Sequence, residues 1–152
     1  MSKLPHPPGG ILDGSVHRYA VRVYYEDTDL SGITYHANYL RWFERARSDM
    51  VRLLGIDQRA AIEAGEGAFA VTEINLKYLR PARLDDDVVI ETRCIEMRPA
   101  SFRMAQRALR GEEVLATAEL RVGFISPDGR PQRLPEIWRR AFTEVLVQEG
   151  TA

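Results

Sequence analysis

Disulfide chemistry has no footing within this sequence, because Cys94 is its only cysteine. That thiol lies in an alternating apolar stretch, away from any histidine or glycine-rich turn, and reads as a buried structural residue. Charge of one sign is lacking as well: 21 basic residues face 22 acidic ones for a formal net charge of -1, without the positive surplus that accompanies nucleic-acid binding. No apolar run approaches membrane-spanning length, and the stretch from Met1 to Gly10 has no signal-peptide core, so a cytoplasmic protein without a transmembrane segment is expected. Histidine is scarce. His6, His17 and His36 are far apart, no His-x-x-x-His, Cys-x-x-Cys or Asp-x-Asn-x-Asp-Gly pattern accompanies them, and Asp27 with Asp29 alone is a weak cation signal. No metal and no cofactor are therefore expected. Gly-x-Ser-x-Gly, Gly-Lys-Ser/Thr and dinucleotide-glycine patterns are missing too, which leaves no sign of a serine nucleophile elbow or of those phosphate-binding loops.

What is present fits one domain. A chain of 152 residues with 45% apolar and 28% charged residues has average globular composition and suffices for a single core. Only Lys3 and Lys77 among the basic residues are lysine; arginine suits phosphate contacts, but codon bias explains the same skew. Proline and glycine before about residue 15 imply a flexible tail, with the domain proper spanning 16–149.

Alternation from His17 to Asp27 predicts a first strand, with Tyr19, Val21, Val23 and Tyr25 on one parity, so that the Tyr25 ring points into the fold beneath Asp29. Tyr39, Phe43, Ala46, Met50, Val51 and Leu54 recur at helical spacing and predict a long amphipathic helix over 38–54, with Asn38 as N-cap and Gly55 as stop. A short helix over 57–64 follows. Strands are predicted over 69–79, 88–97, 102–109 and 114–125, joined by short links of hairpin type, and a last helix over 135–148. This order makes an α+β domain in which one antiparallel sheet must cover the apolar face of the long helix.

One segment disobeys the packing pattern: Tyr24 to Tyr39, joining the first strand to the helix. It places carboxylates, His36 and several tyrosines beside a helix N-terminus, whose free amides favour a developing anion. Acyl transfer needs a base or nucleophile near the carbonyl carbon and donors aimed at the oxyanion, and Asp29 with the helix amides supplies both. Aspartates before helices also simply cap turns, His36 also fits a half-exposed surface ring, and Tyr25 also fits an ordinary core position.

The run Arg22-Val23, Thr28-Asp29, Gly32-Ile33, Tyr35-His36-Ala37-Asn38-Tyr39 and Phe43-Glu44-Arg45-Ala46-Arg47 resembles the signature of the 4-hydroxybenzoyl-CoA thioesterase family, closest to its Tol-Pal-associated acyl-CoA thioesterase branch. The resemblance continues through Leu76 to Ala82 and Asp87 to Thr92. It implies a hotdog fold, an antiparallel sheet wrapped around one long central helix, and a homodimer assembling to a homotetramer with sites at the dimer interface. It implies hydrolysis of an acyl-CoA thioester, with acyl carrier protein as a further possible carrier of the substrate. By position, Asp29 is the catalytic carboxylate, as general base or nucleophile; His36 supplies a side chain and the oxyanion amide; Tyr25 is the third active-site residue. Gly32 and Tyr35 fall in the substrate-binding part of the motif, and Arg83 or Arg103 are candidates for the CoA phosphates. Leu30-Ser31 departs from the family's usual Ala-Gly or Pro-Ala after the aspartate, which bears on the acyl pocket. A hotdog enoyl-thioester hydratase and a non-catalytic acyl-binding module are the rival readings.

Overall fold

The computed structural model describes residues 3–147 of the chain. Six strands form one antiparallel sheet in the order β1 (Ile11–Asp13), β2 (Val16–Arg22), β4 (Asp87–Met97), β5 (Ser101–Arg110), β6 (Glu113–Ile125) and β3 (Ala68–Tyr78). Three helices accompany it: α1 (Asn38–Leu53), α2 (Gln58–Glu63) and α3 (Glu136–Glu144). The expected end of the last helix at Gln148, and of the domain at residue 149, lie outside the described residues.

Residues paired across neighbouring strands share a face, and the buried series Ala116, Ala118, Leu120, Val122 and Phe124 of β6 defines the face that holds α1. Opposite it, Tyr39, Trp42, Phe43, Ala46, Met50 and Val51 are the buried apolar residues of α1, the stripe that its spacing predicts. Gly55, at φ 83, ends that helix as expected. Near the C-terminal end of α1 the core becomes aromatic: Phe69 and Phe102 lie 5.5 Å apart and Phe142 of α3 stacks on Phe102 at 4.4 Å. Cys94 is fully buried, and that burial pushes its thiol up to about 12, in keeping with a structural role. No described helix is long and apolar enough to cross a membrane.

A polar row crosses this core. His17, Thr92 and Gln106 face one another across β2, β4 and β5, all essentially without solvent exposure. Gln106 donates to the Phe43 carbonyl at 2.9 Å and to the Thr92 hydroxyl at 3.0 Å, and accepts from Arg47 at 3.0 Å. His17 Nε2 meets Asp49 at 2.7 Å, and the Gly10 amide donates to the same carboxylate oxygen at 2.9 Å. Both helix residues thus reach down to the sheet.

Three expectations need correction. Ile11–Asp13 pairs with β2, so regular structure begins inside the stretch assigned to the tail; the local proline and glycine content did not reveal the partner strand. The first strand stops at Arg22 instead of Asp27, because Asp85 and Asp86 take over the backbone bonds of Val23 and the Asp27 carboxylate accepts the Tyr24 amide at 2.8 Å. Finally, Arg80-Pro81 through Asp87 is no hairpin: β3 pairs with β6, and the segment crosses from the sheet edge to β4. The links at Pro99-Ala100 and Gly111-Glu112 are hairpins, as expected.

Asp49→Ala removes the acceptor shared by His17 and the Gly10 amide. A stability loss of about 1–3 kcal/mol is expected from the two stranded donors, read from urea unfolding midpoints at unchanged slope.

Candidate active site

The irregular segment after β2 folds as a narrow loop on top of the crossover. A 3-10 turn over Tyr25–Asp27 comes first. Then Thr28 bridges Thr34, the Asp29 amide donates to the Ile33 carbonyl at 3.0 Å, and the Tyr35 amide donates to the Asp27 carbonyl at 2.8 Å. Gly32 turns the tip at φ 80, a left-handed conformation that a Cβ would strain, and its Cβ position meets nothing within 4 Å. Below, the Thr34 amide donates to Ala82 and the Leu84 amide to Gly32, so the crossover serves as the loop's second strand. Tyr39 fixes the base from α1, its hydroxyl accepting the Ala82 amide at 3.0 Å.

Asp29 stands in solvent on this loop. Its Oδ1 accepts the Ser31 hydroxyl at 2.5 Å and the Ser31 amide at 2.8 Å, and these bonds, the hydroxyl first, hold its carboxyl below the usual carboxylate range. The group is an ionised acceptor at neutral pH. Leu30 beside it is fully exposed.

The helix begins at Asn38 as its pattern predicts, but the N-cap lies one residue before the expected Asn38. Ala37 occupies the N-cap position, and Asn38, buried at the first helical position, donates its side-chain amide to Asp27 Oδ1 at 2.5 Å, tying the carboxylate loop to the helix start. Among the described residues, the backbone amides of His36 and Ala37 have no hydrogen-bond acceptor. Ala37 is the N-cap and His36 the residue before it, so these are two unbonded donors at the helix entrance. The His36 carbonyl accepts the Tyr78 hydroxyl from β3 at 2.8 Å, while the imidazole packs 4.5 Å from the Tyr35 ring and 6.1 Å from the Tyr78 ring. Thr34, His36, Tyr39, Tyr78 and Leu79 line an open depression of about 280 Å³, and Thr34 Oγ1, buried beside it, has no partner. Tyr78 and Thr34 line the depression, and local pattern does not single them out; Tyr78 ends β3, and its approach to His36 depends on α1 packing against the sheet.

The predicted residues are therefore only partly gathered in one chain. His36 lines the depression and Tyr35 packs against its ring; Asp29 and Gly32 sit on the adjoining loop, and neither Tyr35 nor Asp29 is part of the depression's lining. Tyr25 is 80% exposed on the 3-10 turn instead of pointing into the fold, because the strand parity that placed it inward is lost after Arg22. Of the two phosphate candidates, Arg83 adjoins the loop through its bridge to Ile33, whereas Arg103 lies on the outer sheet face against Glu119 at 3.7 Å. Among the described residues, no group of three or more His, Cys, Asp or Glu side chains is placed to hold a metal ion.

A long helix held in one curved antiparallel sheet, with a free carboxylate on the loop leading into that helix, defines a hotdog-fold enzyme of the thioesterase class. Residues 31–117 match the thioesterase superfamily. The chain is 39% identical to the acyl-CoA thioester hydrolase YbgC of Escherichia coli over 127 residues, covering 82% of this chain and 94% of that protein. It is 37% identical to the acyl-CoA thioesterase YbgC of Haemophilus influenzae over 82% of this chain and 92% of that one. A probable thioesterase from Bartonella henselae superimposes with a TM-score of 0.75 at 38% identity, over 79% of this chain and 99% of its own. The chain belongs to the thioesterase superfamily.

Ser31→Ala takes away the strongest bond to Asp29, so the Asp29 carboxyl should titrate at higher pH than in the parent protein. Carbon-detected NMR titration of that carboxyl reads the shift; an unmoved titration would mean that Ser31 does not set it.

Proposed function

We propose that this protein hydrolyses acyl-CoA thioesters to a free carboxylate and CoA. What supports the proposal is an ionised Asp29 on the loop that leads into α1, a loop that Asn38 and Asp27 tie to the helix start where the His36 and Ala37 amides have no acceptor among the described residues. The names of the two YbgC relatives support the substrate class. The His36 and Ala37 amides would accept the thioester oxygen as it gains negative charge. Asp29 either takes the proton from a water that attacks the carbonyl carbon, or attacks that carbon itself and is released by water in a second step. In both routes the carbon–sulfur bond breaks, CoA leaves as the thiol after protonation, and water supplies one carboxylate oxygen. His36, Tyr25, Tyr35 and Gly32 are assigned to the site by their places in the motif.

The site is proposed to be completed by a second copy. β3 is an edge strand of 11 residues, with Val71, Ile74 and Tyr78 exposed along it, and such an edge invites pairing. A homodimer joined there, assembling further to a homotetramer, would cover that edge and bring a second subunit's surface to the Asp29 loop. Acyl carrier protein as an alternative carrier, a cytoplasmic location and an association with the Tol-Pal system belong to the same proposal, as does Arg83 for the CoA phosphates.

Asp29→Ala should lower turnover by about two powers of ten or more at unchanged circular dichroism, measured as thiol release from acyl-CoA with a chromogenic disulfide. Near-parental activity would remove Asp29 from the chemistry. His36→Ala should give a smaller loss in the same assay. Because the carboxylate is the active form and its pKa is lowered, the parental rate should hold down to mildly acidic pH and fall only as Asp29 becomes protonated. In Ser31→Ala that fall should begin at higher pH.

A further inference from the structure

Two depressions are lined jointly by residues of the α1 region and β3: the His36 depression and, nearer the other end of the helix, a cavity of about 120 Å³. Their β3 wall follows from the strand register. Val71 pairs with Val122; after a one-residue bulge, Ile74 pairs with Leu120, Leu76 with Ala118 and Tyr78 with Ala116. All these partners are buried on the face that holds the helix, so Val71, Ile74 and Tyr78 lie on that face too, yet they are 45%, 38% and 47% exposed. The opposite wall is α1. Leu40, Glu44 and Arg47 fall at i, i+4 and i+7, which aligns them on one side of the helix, His36 directly precedes the N-cap, and Leu40 is 41% exposed. Leu40 on α1 and Ile74 on β3 thus stand, partly exposed, at chain positions between the residues that line the two depressions.

Seven of the cavity's lining residues are apolar, from Val51 on α1 through Phe69, Ala70 and Val71 on β3 to Phe102, Met104 and Val122; Arg47 is the cation of the lining and Glu44 its anion. Its guanidinium donates to the neutral Gln106 side chain at 3.0 Å, and among the described residues no carboxylate lies within 4.0 Å of it. The contrast with other arginines is clear: Arg107 reaches Glu91 at 2.5 Å and Arg110 reaches Asp86 at 2.8 Å. Burial disfavours the charge and pulls the Arg47 pKa down, with nearby Glu44 opposing the shift, but a guanidinium stays protonated in proteins. A largely buried cation with one neutral partner has donors to spare. Glu44, at the cavity mouth, is solvent-exposed and takes the Ser48 hydroxyl at 2.7 Å, so its opposing charge is screened by water.

We propose that Arg47 receives a carboxylate at the far end of the acyl chain, so that monothioesters of dicarboxylic acids are preferred substrates. The inference rests on the thioester-hydrolase reading and names the acyl class for the same site. Eleven residues separate His36 from Arg47, about 16 Å along the helix at the usual rise. The arginine side chain leans back toward the helix N-terminus and spans about 6 Å of that distance. About 10 Å remain, and at about 1.2 Å per extended bond this suits an acyl chain of about eight carbons. The chemistry is unchanged: water cleaves the thioester, and the distal carboxylate takes no part.

The test compares octanoyl-CoA with suberoyl-CoA, which has the same chain length and a terminal carboxylate, in thiol-release assays on the full chain. The parent protein should favour suberoyl-CoA in kcat/KM by at least about tenfold, and Arg47→Met should erase that preference while Arg47→Lys keeps part of it. Equal use of the two substrates by the parent protein would overturn the inference without any variant. So would an undiminished preference in folded Arg47→Met. Calorimetric binding of the two non-hydrolysable thioether analogues separates this inference from the activity it rests on. Tighter binding of the carboxylated analogue with no thiol release would uphold Arg47 and refute hydrolysis, whereas equal binding would refute the role of Arg47.

Discussion

The seating of α1 on the sheet is the constraint on which the other features depend. Apolar burial brings the helix to the sheet, but apolar contact has no direction and permits sliding. The side chain of Gln106 removes that freedom, because it donates to a carbonyl in the middle of the helix while accepting from Arg47 one turn further on. Asp49 and His17 make a second fixed contact from the neighbouring strand side. Buried polar groups are costly when unpaired, so a shift of the helix along its axis would break several bonds that water could not replace. The position of the helix start, and with it the direction of its open amides, follows from this registration.

The loop carrying Asp29 is held by a different device. A loop of turn-forming residues has little intrinsic preference for one shape, yet here its backbone bonds pair it with the crossover from β3 to β4. That crossover is itself anchored at both ends: Leu79 and Arg80 donate to the Leu115 carbonyl, and Arg110 reaches both Pro81 and Asp86. Asp29 therefore rides on a rigid support while its own carboxylate stays solvated, held by the Ser31 side chain and amide. The arrangement places the reactive group on a loop and its precision in the strands beneath, a division common in enzyme sites.

Arginine contributes to both features. Most of the chain's guanidinium groups in reach of carboxylates form exposed or half-exposed pairs such as Arg22 with Asp87 and Arg59 with Glu63, which add little stability. Arg47 differs by position and not by composition. It occupies the helix face that turns toward the sheet edge, where burial removes water and the nearest fixed partner is an uncharged amide.

Much was legible in the order of residues. Helical spacing from Tyr39 to Leu54 identified the buried stripe of α1, and alternation along β6 identified the inner face of the sheet, because periodicity is a local property that burial reads directly. The motif from Thr28 to Tyr39 marked the chemical segment and Asp29 within it. Other features required the folded chain. Nothing local showed that β3 would pair with β6, that the Pro81 segment would support the active loop, or that Tyr78 would bond the His36 carbonyl. The Tyr25 ring went astray for the same reason: its parity held only while the strand continued, and distant Asp85 and Asp86 ended the strand early. Sequence by itself determined the buried stripe of α1, the inner face of β6 and which segment was free for chemistry, since side-chain polarity and spacing encode those. Tertiary structure alone decided which distant groups would meet, since hydrogen bonds act over a few ångströms and only the packed helix and sheet bring their partners that close.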